Sequence, residues 1–321
     1  MDKRERVLNA MNNRPVDHVP VGIWFHFSGE EAVGEGCIRA HLRYYRETDL
    51  DFLKVMSDGF PSFPFNVEIR EAADWYQLEP VGKDDPYIRD QVARAKGIVD
   101  AIGAERCVFY NVFAPFTVIR EACGDDLVMK HLWEDPCAVM HGLDAAAQVQ
   151  ALLSELLIKE AGCDGIYYPV QGGELGRFTR EEYHRWISSS DLYVLEHANR
   201  FSENNILHCC GWAGAKNDLA LWQNYPAKVV NWAVHVEGMS LEEGRAFFGN
   251  RACLGGFKTL WDDEKQDGII YTGTQEELQD YTRTLILNHG KIGLLLGGDC
   301  TVSDRIDREH IRWIVEAARS I

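Results

Sequence analysis

Eight short apolar runs, each followed by a longer stretch of helical periodicity, constrain this chain more than any other feature. The runs are VPVGIWFHF (19–27), DFLKVMSD (51–58), RCVFYNVF (106–113), DGIYYPV (164–170), NNILHCC (204–210), KVVNWAVH (228–235), RACLGGF (251–257) and KIGLLLGGD (291–299). Their nearly unbroken apolar character is that of strands covered on both faces. The stretches between them carry helix signals. Thr179 with Glu182, Ser240 with Glu243 and Thr274 with Glu277 each set a hydroxyl three residues before a carboxylate, the pattern of an N-terminal capping box. Gly162 and Gly290 stand where two of the helical patterns stop. Eight strand–helix units predict an α/β fold, a (β/α)8 TIM barrel forming a single domain over residues 1–321. No GxGxxG follows the first run, which argues against a dinucleotide-binding sheet. Residues 60–84 read as a long insertion behind the second run, and long loops at that end of a barrel are often functional.

Bulk properties narrow the partners. The formal charge is −17, so phosphate backbones and anionic lipid surfaces are poor matches, and neither nucleic acid nor membrane is expected. No apolar run approaches the roughly 20 residues of a membrane span, and the charged N-terminus does not read as a secretory signal. Nine scattered cysteines, an odd number, then read as reduced core residues or metal ligands of a cytoplasmic protein.

In such a barrel, chemistry gathers where strands hand over to the following loops. The carboxyl ends of the runs carry His26, Asp58, Asn111, Gln171, His208 with Cys210, His235, Lys258, and Asp299 with Cys300, whereas the amino ends show nothing comparable. Side chains alternate along a strand, so His208 and Cys210 face one way and Cys209 the other. Cys300, at the end of the last run, lies across the barrel mouth from them. One imidazole and two thiols suit tetrahedral Zn2+ with a position left for substrate. From the residues alone, core cysteines and metal ligands remain equally good readings of this trio.

Several stretches resemble the uroporphyrinogen decarboxylase superfamily, and the resemblance runs along essentially the whole chain. They are RPVDHVPVGIWFHF, APFTVIREACGDD, CDGIYYPVQGGELGRFTREEYHRW, ILHCCGW and LLLGGDCTVSDRI. The first resembles the family's Arg-Pro-Val-Asp opening, the second its Pro-aromatic-Thr segment and the fourth its His-x-Cys-Gly stretch. Asp58 matches the position of the decarboxylases' central aspartate. Their arginine-rich run after the first strand is replaced here by FHFSGEE, their tyrosine by Glu121, and their late histidine by the region of Gly298, Asp299 and Cys300. These departures argue against a porphyrinogen substrate. The sequence resembles instead the branch of zinc-dependent cobamide methyltransferases, whose His-x-Cys and distant Cys are matched by His208, Cys210 and Cys300.

The resemblance implies a methyltransferase that moves a methyl group between a corrinoid and a thiol, methoxy or other methylated small molecule. His208, Cys210 and Cys300 would hold Zn2+. Asp58, Glu174 and His235 are the candidate catalytic residues; His26, Phe27, Asn111, Gln171 and Trp212 are the candidate substrate contacts. No Asp-x-His-x-x-Gly stretch is present, so the corrinoid is expected on a separate protein. Homodimers are common in the superfamily, which makes a dimer an expectation here. Two other readings stand beside this one: a metal-independent decarboxylase using Asp58, and a barrel that only binds a corrinoid or its carrier.

Overall fold

A computed structural model describes residues 1–259 and 267–321. Seven of the eight apolar runs form strands: β1 (Phe52–Val55), β2 (Cys107–Asn111), β3 (Gly165–Val170), β4 (Ile206–Cys209), β5 (Val229–Trp232), β6 (Ala252–Phe257) and β7 (Leu294–Gly298). They form one parallel sheet in chain order, and every strand residue is buried. This burial on both faces is why the runs read as continuous rather than alternating. The three expected capping boxes all form, on the helices Arg180–Trp186, Leu241–Phe247 and Gln275–His289. Gly162 and Gly290 take positive φ just beyond the helices Pro136–Lys159 and Gln275–His289, a conformation that glycine adopts without a Cβ penalty.

The expectation of eight strands is met only in part. Residues 19–27 form no strand, and one isolated parallel bridge joins Val21 to Leu296. The reason is local. Pro20 has no N–H to give a ladder, and the Val21 N–H goes to the Asp51 carboxylate at 2.9 Å instead of to a strand carbonyl. The segment still touches both outer strands of the sheet. Gly22 N–H donates to the Leu296 carbonyl of β7, Leu296 N–H to Pro20, and Asp51 N–H, just before β1, to Val21, each at 2.9 Å. The first and last strands therefore lie on either side of one segment, and the sheet is curled.

Two apolar clusters follow from the curl. The inner one gathers Phe52, Phe109, Tyr167, Ile206, Val229, Leu254 and Leu295 from the strands with Trp24 and Met56. Val7, Ala10 and Met11 of the helix Lys3–Met11 belong to the same cluster. That helix lies at the amino ends of the strands, where the Arg4 guanidinium meets the Arg106 carbonyl and the Asp164 carboxylate. The outer cluster packs the surrounding helices on the sheet. With the amino end covered, the opening is at the carboxyl ends. Residues 60–84 hold one short helical turn, Ala72–Gln77, anchored by the fully buried Trp75. Among the described residues no helix is long and apolar enough to cross a membrane.

Candidate metal and substrate site

The carboxyl ends of the strands surround a cavity of about 730 Å3. On one side of it His208, from β4, meets Cys210, which follows β4, and Cys300, which follows β7. Their ligand atoms all lie within 4.8 Å of one another. Strand parity sets this up. His208 and Cys210 share a side, while Cys209 is fully buried in the outer cluster. The Cys210 N–H donates to the Val170 carbonyl at 3.0 Å, and the Cys300 N–H to the Thr259 hydroxyl at 2.9 Å. Gly297 and Gly298 make the turn into Cys300 possible. A Cβ on Gly297 would stand 2.7 Å from Leu254, and one on Gly298 would stand 2.5 Å from the Cys300 carbonyl.

The donor set suits a metal. Both ring nitrogens of His208 are buried with no hydrogen-bond partner among the described residues, an arrangement that is costly unless something occupies them. Hydrogen bonding from Cys210, helped by the charges of His208 and Lys54, holds Cys300 well below the usual thiol range, whereas Cys210 is pushed far up by Cys300 and by burial. One imidazole and two thiols within reach of one another are a donor set that suits Zn2+.

Around this trio the cavity is lined by His26, Asp58, Asn111, Gln171 and Trp212 among the expected residues. His26 Nδ1 lies 2.7 Å from Asp58 Oδ1, and the Phe27 N–H donates to Asp58 Oδ2 at 2.8 Å. Asp58 thus orients an imidazole. Gln171 Nε2 reaches Cys210 Sγ at 3.7 Å, and the Asn111 amide donates to the Ser57 hydroxyl at 3.5 Å.

Three expected residues lie outside the lining. Phe27 packs against Phe25, His41 and Tyr44. Glu174 is held by arginines: Oε1 is 2.7 Å from Arg120 and Oε2 is 2.7 Å from Arg177. Arg120 in turn lies under the Trp212 ring, 4.1 Å from its centroid. His235 is held by Asp299, which lines the cavity and accepts from its backbone N–H at 3.0 Å and pairs with Nδ1 at 2.7 Å. Lys258 makes an ion pair with Asp267 on the surface.

The sequence reading assigns no role at the site to Lys54 or Glu121, yet both line the cavity. Lys54, in the middle of β1, is buried against the faces of Tyr167 and Trp24, with Nζ 3.7 and 4.8 Å from the ring centroids. Burial pulls its pKa down to about 7 against the opposing pull of Cys300, Cys210 and Asp58. The signal for Lys54 is a charged residue inside an apolar run. Glu121 opens onto the cavity between enclosing walls that push its pKa up to about 7, with His26 and a bond from Ser62 opposing.

A curled parallel sheet with a His/Cys/Cys cluster at the carboxyl ends of its strands defines a class of α/β protein with its site in the barrel-like mouth. The chain belongs to the uroporphyrinogen decarboxylase (URO-D) family, whose model matches residues 53–321. Among solved structures it is similar to a methyltransferase from Methanosarcina mazei, with a TM-score of 0.79 at 15% identity over 100% of this chain and 98% of the other. It is also similar to a B12-independent methionine synthase from Shewanella sp. W3-18-1 in complex with selenomethionine, with a TM-score of 0.57 at 14% identity over 94% and 97%. At these identities the likeness is one of fold. A search of curated proteins returns no match.

Proposed function

We propose that this protein is a zinc-dependent methyltransferase that moves a methyl group between a corrinoid, carried on a separate protein, and a thiol or a methoxy or otherwise methylated small molecule. The whole chain is read as one (β/α)8-type unit in which residues 19–25 stand in for a first strand. The observation that carries the reading is the convergence of His208, Cys210 and Cys300 from β4 and β7 at the mouth of the cavity. Family membership and a fold neighbour named as a methyltransferase support the methyl-transfer part of it.

His208, Cys210 and Cys300 would hold the metal. Bound zinc supplies a Lewis-acidic centre that keeps a thiol ionised near neutral pH or polarises the oxygen of a methoxy group. The chain's own residues supply the rest. Asp58 fixes the His26 ring, which faces the cavity as a proton donor or acceptor for the small molecule. Asp299 fixes His235 beside the opening. Gln171 and Asn111 offer amide groups, and Trp212 offers an apolar wall that excludes water.

Metal analysis of the purified protein tests the reading. About one zinc per chain is expected. Cys210→Ser and Cys300→Ser are expected to lose it while keeping the far-ultraviolet circular dichroism of the parent, because neither apolar cluster includes Cys210 or Cys300. Demethylation of methylcobalamin in the presence of a thiol should disappear in the same variants. Absence of zinc after purification, with none taken up on titration, would overturn the proposal. Decarboxylation without a metal is the competing reading. It would be favoured if Asp58→Asn abolished turnover and Cys300→Ser left it intact; the engagement of both Asp58 oxygens by His26 and Phe27 speaks for a positioning role instead.

A further inference from the structure

Lys54 is the one lysine or arginine among the described residues that line the cavity. Its ammonium group has no hydrogen bond or carboxylate within ion-pair distance among the described residues; its contacts are the two ring faces of Tyr167 and Trp24. The platform is rigid. The Tyr167 hydroxyl donates to Asn231 at 2.5 Å, and Asn231 is anchored on the Leu254 carbonyl at 2.7 Å and the Gly298 carbonyl at 3.2 Å. Tyr167 also lies against the His208 ring, 5.4 Å between centroids. One aromatic platform therefore carries both the lysine and the imidazole of the candidate metal cluster.

Charge accounting then asks for a ligand. Asp58 and Asp299 each lie against a histidine, and Glu121 is shifted toward its neutral form. Cys300, Cys210 and Asp58 act on Lys54 only through space, with no carboxylate in ion-pair distance of it among the described residues. Keeping a buried amine charged without a paired anion is costly. Stacking on aromatic faces offsets only part of that cost.

We propose that Lys54 binds the anionic group of the small-molecule partner, and that this partner is a carboxylate-bearing compound held with its charge beside the metal cluster. The inference rests on the methyl-transfer reading for the place of the metal, and its test does not require methyl transfer. Zinc-loaded full-length protein is titrated by calorimetry with acetate and benzoate and with their neutral amides, acetamide and benzamide. At least one acid is expected to bind about tenfold or more tightly than its amide, the scale of one charge-assisted hydrogen bond. Lys54→Met should abolish that preference with zinc content unchanged, and Lys54→Arg should retain it. Lys54→Gln serves if the Met variant does not fold. Equal binding of acids and amides by the parent overturns the proposal. So does a preference that survives in Lys54→Met, which would assign the anion to the metal alone. Lys54-dependent anion binding without any demethylation of methylcobalamin would sink the methyl-transfer reading and leave the lysine's role standing; the converse would sink only the lysine.

Discussion

Asp58 and Glu174 are both acidic residues at strand mouths, and the structure gives them different work. Asp58 lines the cavity and spends its two oxygens on His26 and the Phe27 N–H. Glu174 lies among Arg120, Arg177 and the Trp212 N–H, away from the lining. Asp58→Asn is expected to lower kcat about 100-fold, the size of a general acid–base contribution, to shift the pH–rate profile, and to leave zinc in place. Glu174→Gln should act on stability. Arg120 is fully buried, so weakening its pairing exposes an unbalanced charge to the interior, with a cost on the order of 3 kcal/mol. Denaturant unfolding would show that loss, with zinc content unchanged. Nothing in the sequence separates the two residues, because arginine partners 54 and 3 positions away in the chain decide the matter only when β3 and its neighbours are in place.

The helices behind β3 and β4 hold the strand mouths through a buried polar network. Asp191, in the helix Ser188–Asn199, accepts from the Tyr183 hydroxyl at 2.8 Å and the Tyr225 hydroxyl at 3.2 Å. The Trp222 indole donates to Tyr183, and Tyr183 also reaches the Gln171 carbonyl at the end of β3. Burial raises the Asp191 pKa from 3.8 to about 7, with both tyrosine bonds opposing. The folded state therefore keeps a proton that the unfolded state releases. Stability is full below the unfolded pKa and falls as pH rises toward 7, by at most about 4 kcal/mol at 1.4 kcal/mol per unit. Asp191→Asn removes the titration. Its melting temperature relative to the parent should rise between pH 4 and pH 7 and then level off; a constant difference across that range would show that Asp191 is ionised in the fold. The capping boxes were readable because all their parts lie within four residues. This network was not, since its members come from three separate stretches.

At the scale of the whole molecule, the curl of the sheet depends on residues 19–25 fitting between β7 and β1. Gly22 is the tight point: a Cβ there would lie 2.2 Å from the Phe52 ring. Gly22→Ala is expected to cost about 1–3 kcal/mol by overpacking, read as a lowered melting temperature. Phe52→Leu in the same chain should recover part of the loss, and strict additivity of the two changes would show that this contact does not seat the segment.

The sequence by itself determined the parallel strands, their order, the capped helices, and the side on which His208 and Cys210 face, because burial on two faces, local capping and strand parity are properties of neighbouring residues. Tertiary structure alone decided the rest. It replaced the first expected strand with a bridged segment, since the Asp51 side chain takes the Val21 N–H. It brought Cys300 within reach of a cluster about 90 residues earlier in the chain. It also left Lys54 on an aromatic platform with no ion pair among the described residues. Each of these depends on which distant groups meet across the curled sheet, and Coulomb and hydrogen-bond energies act over distances in space that the order of residues does not record.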